Sequence, residues 1–263
     1  MEMKKRIAFV LLLVMLAAVA GSFRGRIFGV GDGEARDESR QNFTLAQGAQ
    51  VEVSGINGTV EIETSEATTA EVYVLRTARS SEALERQKIS VEQTSERLVV
   101  RGEKGGWRFW RWLWNGKVTQ RVVLKVPRQI ELDVHGVNGR VAVGEVAGNI
   151  EVSGINGKLE LAQAGGYSSV SGVNGKVEIA VHQLGERGLS LSGVNGGIEL
   201  RLGNDLNADL SASGINGKVR SEIPNLAVES DHKERNFQAH IGRGGAPITV
   251  SGVNGGVRLT QFN

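Results

Sequence analysis

Ser153-Gly154-Ile155-Asn156-Gly157 lies between Ile150-x-Val152 and Leu159-x-Leu161, and its recurrence decides how the chain is read. The pattern returns as Ser54 to Gly58, Ser171 to Gly175, Ser192 to Gly196, Ser213 to Gly217 and Ser251 to Gly255, with a His-led variant at His135 to Gly139. Measured between first glycines, the successive steps are 81, 18, 18, 21, 21 and 38 residues. Steps of 18 to 21 suit stacked supersecondary units. The last step is close to two ordinary ones and implies a coil that has lost its signature.

Each copy ends in a tight-turn dipeptide: Asn57-Gly58, Asn138-Gly139, Asn156-Gly157, Asn174-Gly175, Asn195-Gly196, Asn216-Gly217 and Asn254-Gly255. Asn-Gly adopts positive φ at little cost, so a strand is expected on either side. The flanks agree, with Val51-x-Val53 or Leu189-x-Leu191 upstream and Val60-x-Ile62 or Val177-x-Ile179 downstream. A stack of hairpins and a solenoid with a corner at each Asn-Gly both fit this much. The aliphatic residue before the asparagine separates them. In a two-residue hairpin Ile56 would face away from Val51, Val53, Val60 and Ile62, because side chains alternate along a strand. All seven copies nevertheless carry Ile or Val there. A corner breaks the alternation and buries that position. Residues 129–263 are therefore expected to form a parallel β-solenoid of about six or seven regular coils. The asparagines Asn138, Asn156, Asn174, Asn195 and Asn216 would stack about 4.8 Å apart as an amide ladder.

Residues 60–130 depart from the repeat. Ala70 to Leu75, Ile89 to Glu92, Leu98 to Arg101 and Val118 to Val126 read as longer strands, interrupted by a helix-compatible stretch from Ser81 to Lys88. An antiparallel extension or cap over the solenoid's N-terminal end fits this region, since open ends need covering. Within it, Trp107-Arg108-Phe109-Trp110-Arg111-Trp112-Leu113-Trp114 holds all 4 tryptophans of the chain, flanked by Gly-Gly and Asn-Gly. The flanks suggest a projecting hairpin or loop between the strands on either side. Two readings stand. The rings seal the solenoid end, as large aromatics do in cores, or Trp107, Arg108, Phe109, Trp110, Arg111, Trp112 and Trp114 form an exposed patch that meets a membrane interface, a sugar or a partner.

The first twenty residues read as an address. Lys4, Lys5 and Arg6 precede an apolar run from Ile7 to Ala20 that closes on Ala18-Val19-Ala20, the small-x-small pattern of a signal peptide cleaved after Ala20. An uncleaved N-terminal membrane anchor is the alternative, although the run is shorter than the roughly 20 residues that span a bilayer. Either reading makes the protein exported: periplasmic, cell-surface or secreted. Residues 21–45 mix glycine with charge and show no sustained period, as a flexible tether would. The β-strand-repeat domain then occupies residues 46–263.

Composition removes several classes of function. The chain of 263 residues has 36 Gly, 3 Pro and no Cys, which suits many tight turns and excludes disulfides, thiolate metal sites and cysteine nucleophiles. The formal charge is +2, and setting aside Lys4, Lys5, Arg6 and Glu2 balances the signs. A neutral chain exerts no bulk pull on nucleic acid, and none is expected as a partner. His135, His182, His232 and His240 lack zinc-ligand spacing, and no P-loop, dinucleotide fingerprint or G-x-S-x-G occurs. No metal or cofactor is expected. Glu160, Glu178 and Glu199 occupy equivalent places in three successive coils. An acidic column would suit a polysaccharide-active β-helix enzyme; diagonal pairing with Lys158 and Lys176 would make a solvated charge lattice instead.

Six copies of S-G-(I/V)-N-G and a His-led seventh, all but the Asn216-Gly217 copy followed by aliphatic-x-aliphatic, together with the strand ending Val126-Pro127, resemble the DUF4097 family of bacterial β-strand-repeat proteins, which carry an adhesin label. The likeness spans residues 46–263. It implies a single-domain right-handed β-helix-like structure in or on the bacterial envelope and supplies no catalytic residues. The expected function is a non-catalytic, envelope-associated structural or adhesive module whose partner is an envelope or surface protein, a glycan or a membrane interface, with self-association through solenoid ends. A polysaccharide-active enzyme and an envelope-stress regulatory component are the alternatives.

Overall fold

A computed structural model describes residues 25–31, 34–103, 118–223, 226, 228–231 and 236–262. Residues 1–20, read above as an expected signal peptide, and the segment Trp107 to Trp114 lie outside these residues. The described chain is all-β, a large mixed sheet with one short helix.

The N-terminal third runs β1 (Gly25–Gly31), β2 (Glu34–Thr44), β3 (Ala49–Ser54), β4 (Asn57–Ser65), β5 (Thr69–Ala78), α1 (Ser81–Arg86), β6 (Ile89–Gln93), β7 (Arg97–Gly102) and β8 (Thr119–Pro127). The regular repeats follow as β9 (Ile130–His135), β10 (Asn138–Val146), β11 (Ile150–Ala164), β12 (Ser168–Asn174), β13 (Val177–Gln183), β14 (Leu189–Asn195) and β15 (Ile198–Gly203). The chain ends with β16 (Ala208–Ile215), β17 (Val219–Ser221), β18 (Val228–Asp231), β19 (Asn236–Ile241), β20 (Ala246–Val253) and β21 (Val257–Phe262).

Each motif copy joins a strand of one parallel ladder to a strand of a second. The first ladder runs β7, β3, β9, the front of β11, β12, β14, β20, β16. The second runs β8, β4, β10, the back of β11, β13, β15, β21, β17. Inward residues of both ladders enter one core, with Val53, Val134, Val152, Val170, Leu191 and Val250 in register on one side and Val60, Val141, Leu159, Val177, Ile198 and Val257 on the other. Burying each such side chain contributes about 1.5–3 kcal/mol. The residue before each asparagine (Ile56, Val137, Ile155, Val173, Val194, Ile215, Val253) is buried as well.

Three features differ from the sequence reading. First, residues 25–44 are not a tether. β2 pairs antiparallel with β5 over ten residues, and β1 adds outside β2. Buried Asp37 accepts from Arg76 Nε at 3.0 Å, and Arg76 Nη1 donates to Leu84 O and Gln87 O at the end of α1. The partner that orders this polar strand comes from 25 to 43 residues downstream, out of reach of local periodicity. Second, the 38-residue step does not hold an extra coil among the described residues. β20 and β21 insert between β14/β15 and β16/β17, while the intervening β19 adds antiparallel to the outer edge of β16 and β18 antiparallel to β19. The 38-residue step is an excursion to the stack's end and back. Third, the 60–130 region contains a repeat: β7 and β8 stack parallel on β3 and β4 as an outermost rank. That end is capped antiparallel by β6 on β7 and by β5, β2 and β1 beyond β8. β7 and β8 belong to different ladders, so the segment between them does not join two strands of one hairpin.

Candidate binding face

The corner is built by its two glycines. The first has φ between 61° and 68° in all seven copies, a left-handed conformation that costs other residues roughly 1–2 kcal/mol. The second packs flat on the neighbouring repeat: a Cβ on Gly58, Gly139, Gly157, Gly175, Gly196, Gly217 or Gly255 would overlap a backbone carbonyl oxygen of the adjoining rank. Positive φ thus falls on the first glycine of every corner and on the second in five of the seven copies, Gly217 and Gly255 being the exceptions.

Between them the asparagines form a continuous ladder in spatial order. Asn138 Nδ2 donates to Asn57 Oδ1 at 3.2 Å, Asn156 to Asn138 at 3.1 Å, Asn174 to Asn156 at 3.1 Å and Asn195 to Asn174 at 3.1 Å. Asn254 then donates to Asn195 at 3.0 Å and Asn216 to Asn254 at 3.1 Å. Asn254 therefore stands between Asn195 and Asn216, and Asn57 joins the ladder 81 residues before its partner. At the β4 end the ladder closes on the chain: Asn57 N–H donates to Gln120 Oε1 at 2.8 Å and Asn57 Nδ2 to Val118 O at 3.4 Å.

Trp107, Arg108, Phe109, Trp110, Arg111, Trp112 and Trp114 lie outside the described residues, but both roots of their segment are placed. Glu103 N–H donates to Lys88 O at 2.7 Å, and a Cβ on Gly102 would overlap Gly55 O. Val118 is buried with Ala35, Ala78, Ala83 and Leu84. Residues 103 and 118 thus flank the outermost corner, where the other ranks carry their Asn-Gly.

The outer side of the second ladder is a charge lattice. Lys158 Nζ lies 2.6 Å from Glu160 and 3.1 Å from Glu178, Lys176 lies 2.5 Å from Glu178 and 3.1 Å from Glu199, and Arg140 Nε donates to Glu160 at 2.6 Å. Hydrogen bonds from Lys158 to Glu160 and from Lys176 to Glu178 hold both carboxyls below their ordinary range. A general acid needs the opposite shift. The histidines are peripheral: His135 lies 3.2 Å from Asp133, His182 3.5 Å from Glu145 and His240 2.7 Å from Asp209; His232 is outside the described residues.

The outer side of the first ladder is different, and the sequence reading passed over it. Ser169-x-Ser171, Ser190-x-Ser192, Thr249-x-Ser251 and Ser211-x-Ser213 fall in register on four adjacent strands. All eight side chains are at least partly exposed, and among the described residues no hydrogen bond joins one hydroxyl to the next, so their hydrogen-bonding capacity is open to the outside. The rows continue into Ser153 with Glu151 and His135 with Asp133. There a groove of about 380 Å³ opens, lined by Glu52, Glu131, Asp133, Asn149, Glu151 and Tyr167 among others. Arg187 stacks over the Tyr167 ring at 4.2 Å, and Glu52 is held by Arg97 at 2.9 Å and Arg101 at 2.8 Å. The hydroxyl-x-hydroxyl pairs preceding the motif were visible in sequence; their contiguity was not, because it depends on β20 lying between β14 and β16.

No protein-family model matches the chain. No curated protein matches it either. Among solved structures, similarity extends to a "putative cell adhesion protein" from Clostridium sporogenes ATCC 15579, at a TM-score of 0.40 and 12% identity over 86% of this chain and 100% of that one. A "putative adhesin" from Parabacteroides merdae ATCC 43184 follows at 0.30 and 13%, over 86% and 96%. A "putative lipid binding protein" from Parabacteroides distasonis ATCC 8503 reaches 0.24 and 13%, over 86% and 97%. Likenesses this distant carry no functional assignment. Among the described residues no helix is long and apolar enough to cross a membrane.

Proposed function

We propose that the chain is an exported, non-catalytic binding module of the DUF4097 type: a right-handed parallel β-solenoid held in or on the bacterial envelope that engages a neutral glycan along its hydroxyl face. The observation that carries this reading is the contiguity of four hydroxyl-x-hydroxyl ranks, completed by Thr249 and Ser251 between Ser190/Ser192 and Ser211/Ser213. A flat array of small donors and acceptors matches a polymer that presents hydroxyls along its length. The carboxylates of the adjoining groove accept further sugar hydroxyls and repel anionic polymers. Tyr167 offers a ring edge beside them.

A second reading keeps the Trp107 to Trp114 segment as the docking element, on a membrane interface or partner protein. It is favoured by the placement of its roots: residues 103 and 118 sit at the capped end of the stack, the end from which β1 leads back toward the apolar N-terminal run. Aromatic and arginine side chains together suit such an interface.

The two readings separate in one experiment. Residues 21–263 are applied to an array of neutral and acidic glycans and to anionic and neutral vesicles, beside a Ser190→Arg/Thr249→Arg variant and a Trp110→Ala/Trp112→Ala/Trp114→Ala variant. Neutral-glycan binding lost only in the first variant supports the hydroxyl face. Binding lost only in the second supports the tryptophan segment. No binding by a folded protein discards both and favours a structural or regulatory component.

A further inference from the structure

We infer that Asn216-Gly217 is a site of spontaneous self-modification, at which the asparagine converts to aspartate or isoaspartate while the inner members of the ladder are protected. All seven ladder positions are Asn-Gly, the pair in which the following amide nitrogen most easily reaches the side-chain carbonyl carbon. In this reaction the glycine nitrogen gives up its proton to water and attacks Asn Cγ. The Cγ–Nδ2 bond breaks, nitrogen leaves as ammonia, and the resulting five-membered succinimide is opened by water.

The reaction needs a side chain free to turn and a glycine N–H free to deprotonate. Inside the stack neither is free. Asn174 both donates and accepts along the ladder, and Gly175 N–H donates to Asn195 O at 3.0 Å. Asn195 is held the same way, with Gly196 N–H on Asn254 O at 3.1 Å. The ladder's other end is closed by Val118 and Gln120. At Asn216 the restraints run out. Its amide donates to Asn254, but among the described residues nothing donates to its Oδ1, no partner engages Gly217 N–H, and both residues are exposed. Asn254 is intermediate, with its amide held on both sides and no described partner for Gly255 N–H.

The order of reactivity is therefore Asn216, then Asn254, then the remaining five. Conversion at Asn216 removes the donor that faces Asn254 Oδ1 and sets two oxygens against each other, which loosens the outermost rank. The isoaspartate product also lengthens the backbone just ahead of β17.

The test is peptide mapping by mass spectrometry of the full chain, incubated folded at mildly alkaline pH and, in parallel, unfolded in denaturant. In the folded protein Asn216 should convert about thirty-fold faster than Asn174, the equivalent of two further hydrogen bonds at about 1 kcal/mol each. In denaturant all seven should convert at similar rates. Folded-state conversion of Asn174 as fast as Asn216, or an Asn216 that stays intact while every site converts in denaturant, overturns the inference.

Discussion

Replacing Gly157 by alanine should weaken the protein far more than replacing Gly197, although Gly157 ends one motif copy and Gly197 directly follows another only two ranks away in the stack. Gly157 has φ of 151°, and a Cβ there overlaps Gly139 O. The backbone strain is about 1–3 kcal/mol. Relieving the overlap pushes the two ranks apart at the corner, which sacrifices about two inter-rank hydrogen bonds, the Asn156–Asn138 rung among them, at about 1 kcal/mol each. The sum, about 3–5 kcal/mol, is a large share of the 5–15 kcal/mol that holds a typical domain together. A Cβ on Gly197 meets only Gly256 O at 3.9 Å, so Gly197→Ala should be neutral or stabilising by up to about 1 kcal/mol. Gly154→Ala falls between them: φ is 63° but the nearest atom is Gly136 N at 3.5 Å, leaving the left-handed strain of about 1–2 kcal/mol alone. Equilibrium urea unfolding of the three variants gives the ranking. Equal midpoints for Gly157→Ala and Gly197→Ala would refute the claim that the second glycine sets the distance between ranks.

The carboxyls of Glu160 and Glu178, lowered first by Lys158 and Lys176 respectively, and of Glu52, lowered first by Arg101, lie below the ordinary 4.5 in the folded protein. Their contribution is present above that value and is lost as pH falls through the folded values. A thermal midpoint that drops between about pH 6 and pH 3 should drop less in Glu160→Gln/Glu178→Gln; identical pH profiles would contradict the lattice's role. In the core, Gln163 is fully buried among register mates Val146 and Val181, accepts from Ser168 Oγ and leaves Nε2 without a partner. Gln163→Leu/Ser168→Ala should hold or raise stability by about 1 kcal/mol, since an unmet buried donor costs about 1–3 kcal/mol; a loss of similar size would show the pair to be required.

The motif made the corner legible. An aliphatic residue at the position before the asparagine in every copy placed Ile56, Val137 and Ile155 inside, and the structure buries them. The alternating charges of Lys158, Glu160, Lys176 and Glu178 likewise pointed to pairing across ranks. What stayed hidden was the order of the ranks. Ile248-Thr249-Val250-Ser251 and Leu189-Ser190-Leu191-Ser192 are so alike that either could neighbour any other copy, so nothing local says that β20 returns to lie inside β16. The same ambiguity concealed the parallel rank of β7 and β8, in which Gln120 stands in register with Gly58, and the hydroxyl face, whose middle rank comes from the end of the chain. Residues 25–44 were opaque for a different reason. The burial of Asp37 rests on Arg76, which the end of α1 holds in turn, and no window on the segment contains either.

Rank order is the claim on which the ladder, the hydroxyl face and the labile Asn216 all rest, and the absence of native cysteine makes it directly measurable. Ser192 and Ser251 are register mates on β14 and β20, whereas Ser192 and Ser213 are separated by the β20 rank. In-register neighbours lie about 4.8 Å apart and next-but-one strands about 9.6 Å apart, while a disulfide needs Cα atoms within roughly 4.4–6.8 Å. Oxidation of Ser192→Cys/Ser251→Cys and of Ser192→Cys/Ser213→Cys, read by non-reducing gel and mass spectrometry, decides the matter. The account predicts an intramolecular bridge in the first pair and free thiols in the second; a bridge only between positions 192 and 213 would mean that the repeats stack in chain order and would contradict it.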